Sequence, residues 1–167
     1  MTATQENLRE FWKRLCLDER FANAPYKIET NAQGQIIMSP TRNWHGFYTA
    51  EITKLLEKFL PHGKIIVECA VDTTGGTKEA DVAWLSPGRF EIVKDQFSCS
   101  VAPEICVEVA STSNTFQELM GKKDLYLAAG ALEYWLCDEK GLMQFFDPKG
   151  LLQRSTLCPD FPVKVET

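Results

Sequence analysis

The chain has 167 residues, 44% of them hydrophobic and 25% charged, the make-up of one globular domain (1–167) large enough to bury a core without staples. A formal net charge of −5 argues against a uniformly basic nucleic-acid-binding face, while leaving room for a local basic groove. No apolar run approaches the ~20 residues of a membrane span, and the first residues lack a signal-peptide pattern, so a cytoplasmic protein with no membrane partner is expected.

In chain order, Leu8, Phe11, Trp12, Leu15 and Cys16 carry helical spacing and predict a helix over 6–21. A hairpin follows over 26–38: Tyr26, Ile28 and Thr30 alternate with polar positions, and Asn31 to Gly34 supply the turn. Phe47, Ile52, Leu55, Leu56 and Phe59 make the apolar stripe of a second helix over 44–60, which Pro61 and Gly63 stop. Strands are expected over 64–71 and 80–85, joined by a loop over 73–78 that holds Gly75 and Gly76, with Ser86-Pro87-Gly88 closing the second. Residues 89–103 read as irregular, and 104–110 as the most apolar short strand. Thr115 opens a helix to about 129 with a capping box, since Glu118 falls three residues later, and Gly130 is its stop. Strands over 132–138 and 142–147 close a hairpin through Glu139-Lys140-Gly141. The tail from Lys149 carries at most one more strand. Mixed strands and helices in this order predict an α/β domain, a mixed sheet flanked by helices behind an N-terminal helix and hairpin.

The six cysteines form no C-x-x-C pair, and Cys69, Cys106 and Cys137 lie inside apolar runs, so they read as small buried hydrophobes. With only His45 and His62 available, a histidine-rich metal site is disfavoured. Acidic residues carry the more informative signal. In 104–110, period-2 alternation places Ile105, Val107 and Val109 on one face and Glu104, Cys106, Glu108 and Ala110 on the other. A carboxylate such as Glu108 inside so apolar a strand is costly to bury unless it is paired or metal-bound. Asp81 opens the apolar strand before it. Two carboxylates converging from adjacent strands would make an oxygen-rich site for Mg²⁺ or Mn²⁺. Each also has a structural alternative: a strand-end turn or ion pair for Asp81, and pairing with a basic residue of a covering helix for Glu108. Lys122 and Lys123 sit on that helix, where an inward amine could stabilise developing charge. Spacing alone does not choose between them, and Glu118 with Lys122 also fits an ordinary i, i+4 surface pair.

The run Ala80-Asp81-Val-Ala-Trp84, with Pro103-Glu104-Ile-Cys-Val-Glu108-Val-Ala-Ser111 and Ser113-Asn-Thr115, resembles the Uma2 family, also called DUF820, common in cyanobacteria. Glu118, Lys122, Tyr126, Gly130-Ala131, Glu133-Tyr-Trp135, Asp138 and Gly141 extend the match, and Ile36-Ile-Met-Ser-Pro40 with His45 resembles the family's front half. The resemblance covers roughly 26–147. It implies a PD-(D/E)XK, restriction-endonuclease-like fold in which Asp81 and Glu108 hold the metal. Two residues after Glu108 stands Ala110 where the motif expects lysine, and Lys122 matches the family's displaced lysine. Position 80 is Ala where the motif has Pro. Glu29 matches a carboxylate of the first hairpin and is a candidate third metal-side acid, with a solvated hairpin residue as the alternative. Glu51 is a weaker candidate. His45 reads as a cap or structural contact, and Trp84, Tyr134 and Trp135 as core.

The implied function is Mg²⁺- or Mn²⁺-dependent endonuclease hydrolysis of phosphodiester bonds in DNA, with Asp81, Glu108 and Lys122 catalytic and a homodimer expected if both strands are cut. The alternative is a nuclease-fold binding or regulatory module with weak or no turnover, motivated by the acidic charge and the displaced lysine.

Overall fold

The short apolar runs separated by turn residues pair into sheets, and the 3.6-periodic stripes cover them. The computed structural model describes residues 5–167 except 23, 41 and 113, so the Ser113 of the family match lies outside the described residues. Helix α1 (Gln5–Leu17) and the single turn α2 (Glu19–Ala22) precede a hairpin of β1 (Lys27–Thr30) and β2 (Ile36–Ser39). Then come α3 (Asn43–Phe59), β3 (Lys64–Thr73), β4 (Gly76–Leu85), α4 (Pro87–Val93), β5 (Ile105–Val109) and α5 (Phe116–Ala128). The chain ends with β6 (Glu133–Cys137), β7 (Met143–Asp147) and β8 (Gly150–Leu152). Six strands make one mixed sheet in the order β3-β4-β5-β6-β7-β8, antiparallel throughout except β5 against β6, which α5 connects.

Both faces of this sheet are covered. On one, Cys106, Ala83 and Tyr134 pack under Val93 of α4 and Leu119 and Tyr126 of α5. On the other, Val82, Ile105, Val107 and Trp135 pack under Tyr48, Ile52 and Leu56 of α3 and under Phe161 and Val165 of the C-terminal tail. This double coverage is why β5 reads as a nearly unbroken apolar run. The capping box at α5 forms as expected: Thr115 Oγ1 accepts from the Glu118 N–H at 3.2 Å while the Glu118 carboxylate accepts from Thr115 N–H at 2.7 Å.

Three sequence expectations change. The helix expected over 6–21 breaks at Asp18, whose carboxylate accepts the Arg20 N–H at 3.0 Å and so competes with the helical ladder. The stretch expected to be irregular from 89 begins inside α4. There Ser86 caps and Pro87 occupies the first turn, the arrangement that starts a helix as readily as it stops a strand. The loop expected over 73–78 is instead a tight turn, because β3 and β4 extend to Thr73 and Gly76. Gly76 has φ +95°, and a Cβ there would lie 2.4 Å from the Thr30 carbonyl oxygen. That close approach seats the β1–β2 hairpin against β4, where the Thr77 N–H donates to Thr30 Oγ1 at 2.9 Å and Lys78 Nζ to the Thr30 carbonyl at 2.7 Å. Cys69, Cys99, Cys106, Cys137 and Cys158 are buried free thiols, and Cys16 is half-buried.

Candidate active site

In the β4–β5 register Val82 stands opposite Val107 and Ala83 opposite Cys106. One step further the same register brings Asp81 level with Glu108. The ladder ends there, and the Val109 N–H donates to Asp81 Oδ2 at 2.7 Å instead. Asp81 therefore lies within β4, not at its opening. The strand begins earlier than its apolar run suggests, because the hairpin buries its polar first half. Asp81 is 1% exposed and Glu108 2%, so neither charge is stabilised by bulk water, and the protein must supply partners.

It supplies them from three other elements. Lys27 of β1 places Nζ 2.5 Å from Asp81 Oδ1 and 3.4 Å from Glu108 Oε2. Lys122 of α5 places Nζ 3.1 Å from Glu108 Oε2, 3.2 Å from Oε1 and 2.6 Å from Glu29 Oε1. Tyr126, one helical turn on, donates its hydroxyl to Glu108 Oε1 at 2.8 Å. His45 Nε2 lies 3.1 Å from Asp81 Oδ2. The Glu79 N–H donates to Glu29 Oε1 at 3.0 Å, so the hairpin carboxylate is fixed from both sides. Lys27, Glu29, His45, Asp81, Glu108 and Lys122 line a cleft of about 650 Å³, together with Lys78, Ser111 and Asn114.

Burial alone would raise the pKa of both central carboxylates. For Asp81 that effect is outweighed by Lys27 and His45, which hold it well below the usual carboxylate range. For Glu108 burial wins over Lys122 and Lys27, and its carboxyl titrates above the usual range. Burial would likewise lower the two lysines. The facing carboxylates, with Glu108 the largest contribution, instead raise both, so both amines are cationic. The same amines, Lys122 first, hold the buried Glu29 below its ordinary value. Tyr126 is pushed far up by burial and then by Glu108, so it stays a neutral donor. The cleft sets three lysines, Lys27, Lys78 and Lys122, among four carboxylates, Glu29, Asp81, Glu108 and Glu118, so its charges are mixed and closely paired.

The structure brings together Asp81, Glu108, Lys122 and Glu29. It separates the two candidate lysines: Lys123 turns away, with Nζ 3.1 Å from Asp124 Oδ1 and 5.5 Å from the Phe146 ring centroid. The surface pair of Glu118 with Lys122 does not form, because Glu118 closes the capping box. Glu51 pairs with Lys54 at 2.6 Å and does not line the cleft. His45 makes the structural contact but is no cap: Arg42 holds that position without a side-chain cap. Tyr134 and Trp135 are fully buried, and Trp84 donates Nε1 to the Leu60 carbonyl at 3.1 Å. Lys27 was missed. Its signal is present, since Lys27 and Glu29 share one face of β1 by strand alternation, but of the two only Glu29 matches a family position. Tyr126 was noted only for the family match, although it stands four residues from Lys122 on the same helix face.

The donor set fits a hard divalent cation. Asp81 Oδ1 and Glu108 Oε2 converge on one point, and the Lys27 ammonium stands there as a cation in its own right. Among the described residues no three His, Cys, Asp or Glu groups enclose an ion. Mg²⁺ commonly binds through one or two carboxylates and completes its shell with water and phosphate oxygens.

A model of the Uma2 family, described as "Putative restriction endonuclease", matches residues 8–160. The fold is similar to that of a "putative nuclease belonging to DUF820" from Anabaena variabilis ATCC 29413, at TM-score 0.63 and 14% identity over 72% of each chain. A looser likeness, TM-score 0.38 at 14% identity, links 90% of this chain to 12% of the chain in a DrdV–DNA complex; it carries no argument. No curated protein matches the sequence.

Proposed function

The chain belongs to the Uma2 family, and from that premise we propose that it is a divalent-metal-dependent endonuclease that hydrolyses phosphodiester bonds in DNA. One observation carries the reading: Asp81 and Glu108, both buried, meet at a single cation position at the foot of an open cleft, beside the inward amine of Lys122. Asp81 Oδ1 and Glu108 Oε2 would hold Mg²⁺ or Mn²⁺, which supplies Lewis-acid polarisation of a phosphoryl oxygen and a more acidic water. The residues of this chain then divide the remaining work. His45 and the Val109 N–H fix Asp81 through Oδ2, leaving Oδ1 turned to the cleft. Tyr126 holds Glu108. Lys122, kept charged by Glu108 and Glu29, offers a fixed cation to the charge that develops on the phosphoryl oxygens. Glu29 acts as a positioning residue for that amine.

The test is cleavage of plasmid and single-stranded DNA by the purified protein with Mn²⁺ or Mg²⁺. Asp81→Ala and Glu108→Ala each lower the rate on the order of 10²–10³-fold, the scale of losing one group that stabilises transition-state charge. Lys122→Met also loses rate while Mn²⁺ still binds. Cleavage that survives the Asp81 and Glu108 changes overturns the assignment. Mn²⁺ binding without any cleavage leaves a nuclease-fold binding module instead.

A further inference from the structure

Lys27 lies in neither hydrophobic core. It belongs to the small hairpin, and its side chain leaves β1 to end between two carboxylates of the large sheet, 9% exposed. We propose that the Lys27 ammonium is a built-in occupant of the metal position, which a divalent cation must displace in order to bind. This rests on reading Asp81 and Glu108 as metal ligands.

The geometry makes the two cations exclusive. Lys27 Nζ is 2.5 Å from Asp81 Oδ1 and 3.4 Å from Glu108 Oε2, the same two oxygens that face the cleft. A Mg²⁺ ion bound to Asp81 Oδ1 would lie roughly 2.0–2.1 Å from it. An ion there and an ammonium at its observed place would share one oxygen with no room for a ligand between them, and their like charges would repel. The other partners of the two carboxylates, Lys122 excepted, use the oxygens turned away from that position. His45 and the Val109 N–H use Asp81 Oδ2, and Tyr126 uses Glu108 Oε1. Lys122 shares Glu108 Oε2 at 3.1 Å but is restrained by Glu29 at 2.6 Å. Lys27 alone bridges the pair, on a flexible four-carbon stem, at the wall of a cleft of about 650 Å³ into which the stem can swing.

The bridging amine has two effects of opposite sign. Without an ion it neutralises two buried carboxylates that would otherwise repel each other. With an ion it is a competitor, so metal affinity is lower than the carboxylates alone would give. A purely structural lysine would have only the first effect.

The experiment is Mn²⁺ titration by isothermal calorimetry of the full chain, wild type against Lys27→Met and Lys27→Arg, with thermal melts in EDTA. Lys27→Met is expected to bind Mn²⁺ at least about tenfold more tightly than wild type, a shift of ~1.4 kcal/mol, and to melt at a lower temperature in EDTA. Lys27→Arg, which keeps the charge, is expected not to gain affinity. Wild-type affinity in Lys27→Met overturns the proposal and leaves the metal site standing. No Mn²⁺ binding by wild type or Lys27→Met overturns both. Should Lys27→Met fail to fold in EDTA, acetylation of wild-type lysines decides, read by mass spectrometry. Lys27 becomes more reactive when Mn²⁺ is added while Lys122 does not, and an unchanged Lys27 under Mn²⁺ saturation overturns the proposal.

Discussion

Glu108 and Glu133 are both glutamates in adjacent central strands, and both are almost fully buried, yet they are solvated by the protein in opposite ways. Glu133, at the start of β6, accepts from five neutral donors. Trp135 Nε1 and Ser155 Oγ bond Oε2 at 2.7 and 2.6 Å, and the Thr156 N–H, Thr156 Oγ1 and Leu157 N–H bond Oε1 at 2.7, 2.6 and 3.0 Å. Burial would raise this carboxyl, but the hydrogen bonds from Ser155, Thr156, Trp135 and Leu157 hold it below its ordinary value. Glu108, at the end of β5, has one neutral donor and two amines on long side chains, at the wall of a cleft. The first arrangement anchors the C-terminal tail; the second is able to exchange a partner. A buried acid is thus a candidate ligand when its counter-groups are mobile cations facing open volume, and a structural anchor when they are fixed dipoles.

The largest expected effect tests the anchor. Glu133→Ala leaves five donors without their acceptor and costs about 3 kcal/mol of stability or more, measured by urea unfolding. Mn²⁺ affinity is expected to stay unchanged in that variant, and a parallel loss of metal binding would break the contrast. Glu79 sharpens it as a third case. Burial pushes its carboxyl up to about 8 although Lys27 opposes, with Glu68, Glu29 and Asp81 adding to the rise. Because the folded state holds this proton more tightly than the unfolded chain, stability is greatest below the ordinary value of 4.5 and falls as pH rises from there to about 8. In EDTA, Glu79→Gln is expected to equal wild type near pH 5 and exceed it by about 2 kcal/mol above pH 8, the full shift being discounted for partial exposure. Equal pH profiles for the two proteins would refute this. The smallest effect is at Tyr126: Tyr126→Phe removes the one neutral donor of Glu108 and costs about 1 kcal/mol. Its Mn²⁺ affinity is expected to fall by less than about tenfold, by calorimetry, because Lys122 still holds Glu108.

Much of this arrangement was legible in the residues. Strand alternation placed Glu108 on the face opposite Ile105, Val107 and Val109, and Thr115 with Glu118 marked the start of α5 correctly. The two carboxylates are far from random in sequence, since β4 and β5 are consecutive strands of one sheet. The partners were harder to see because they come from elements whose docking has no local signature. Nothing in the run Lys27-Ile-Glu29 reveals that the hairpin seats on Gly76. Lys122 and Lys123 are adjacent in sequence, and only packing of Leu119 and Tyr126 against the sheet selects which amine turns inward. Similarly, Ser86-Pro87-Gly88 ends β4 and begins α4 with the same residues, so local chemistry alone could not separate the two readings.

The seating of the hairpin also has a bearing on how such a protein can change. Thr30 and the turn at Gly76 dock β1 through main-chain and hydroxyl contacts, so the residues at 27 and 29 are set into the cleft without belonging to either hydrophobic core. Substitution there rewrites the charge of the cleft while the supporting architecture keeps its packing. The charge lining the cleft can therefore change through one four-residue strand.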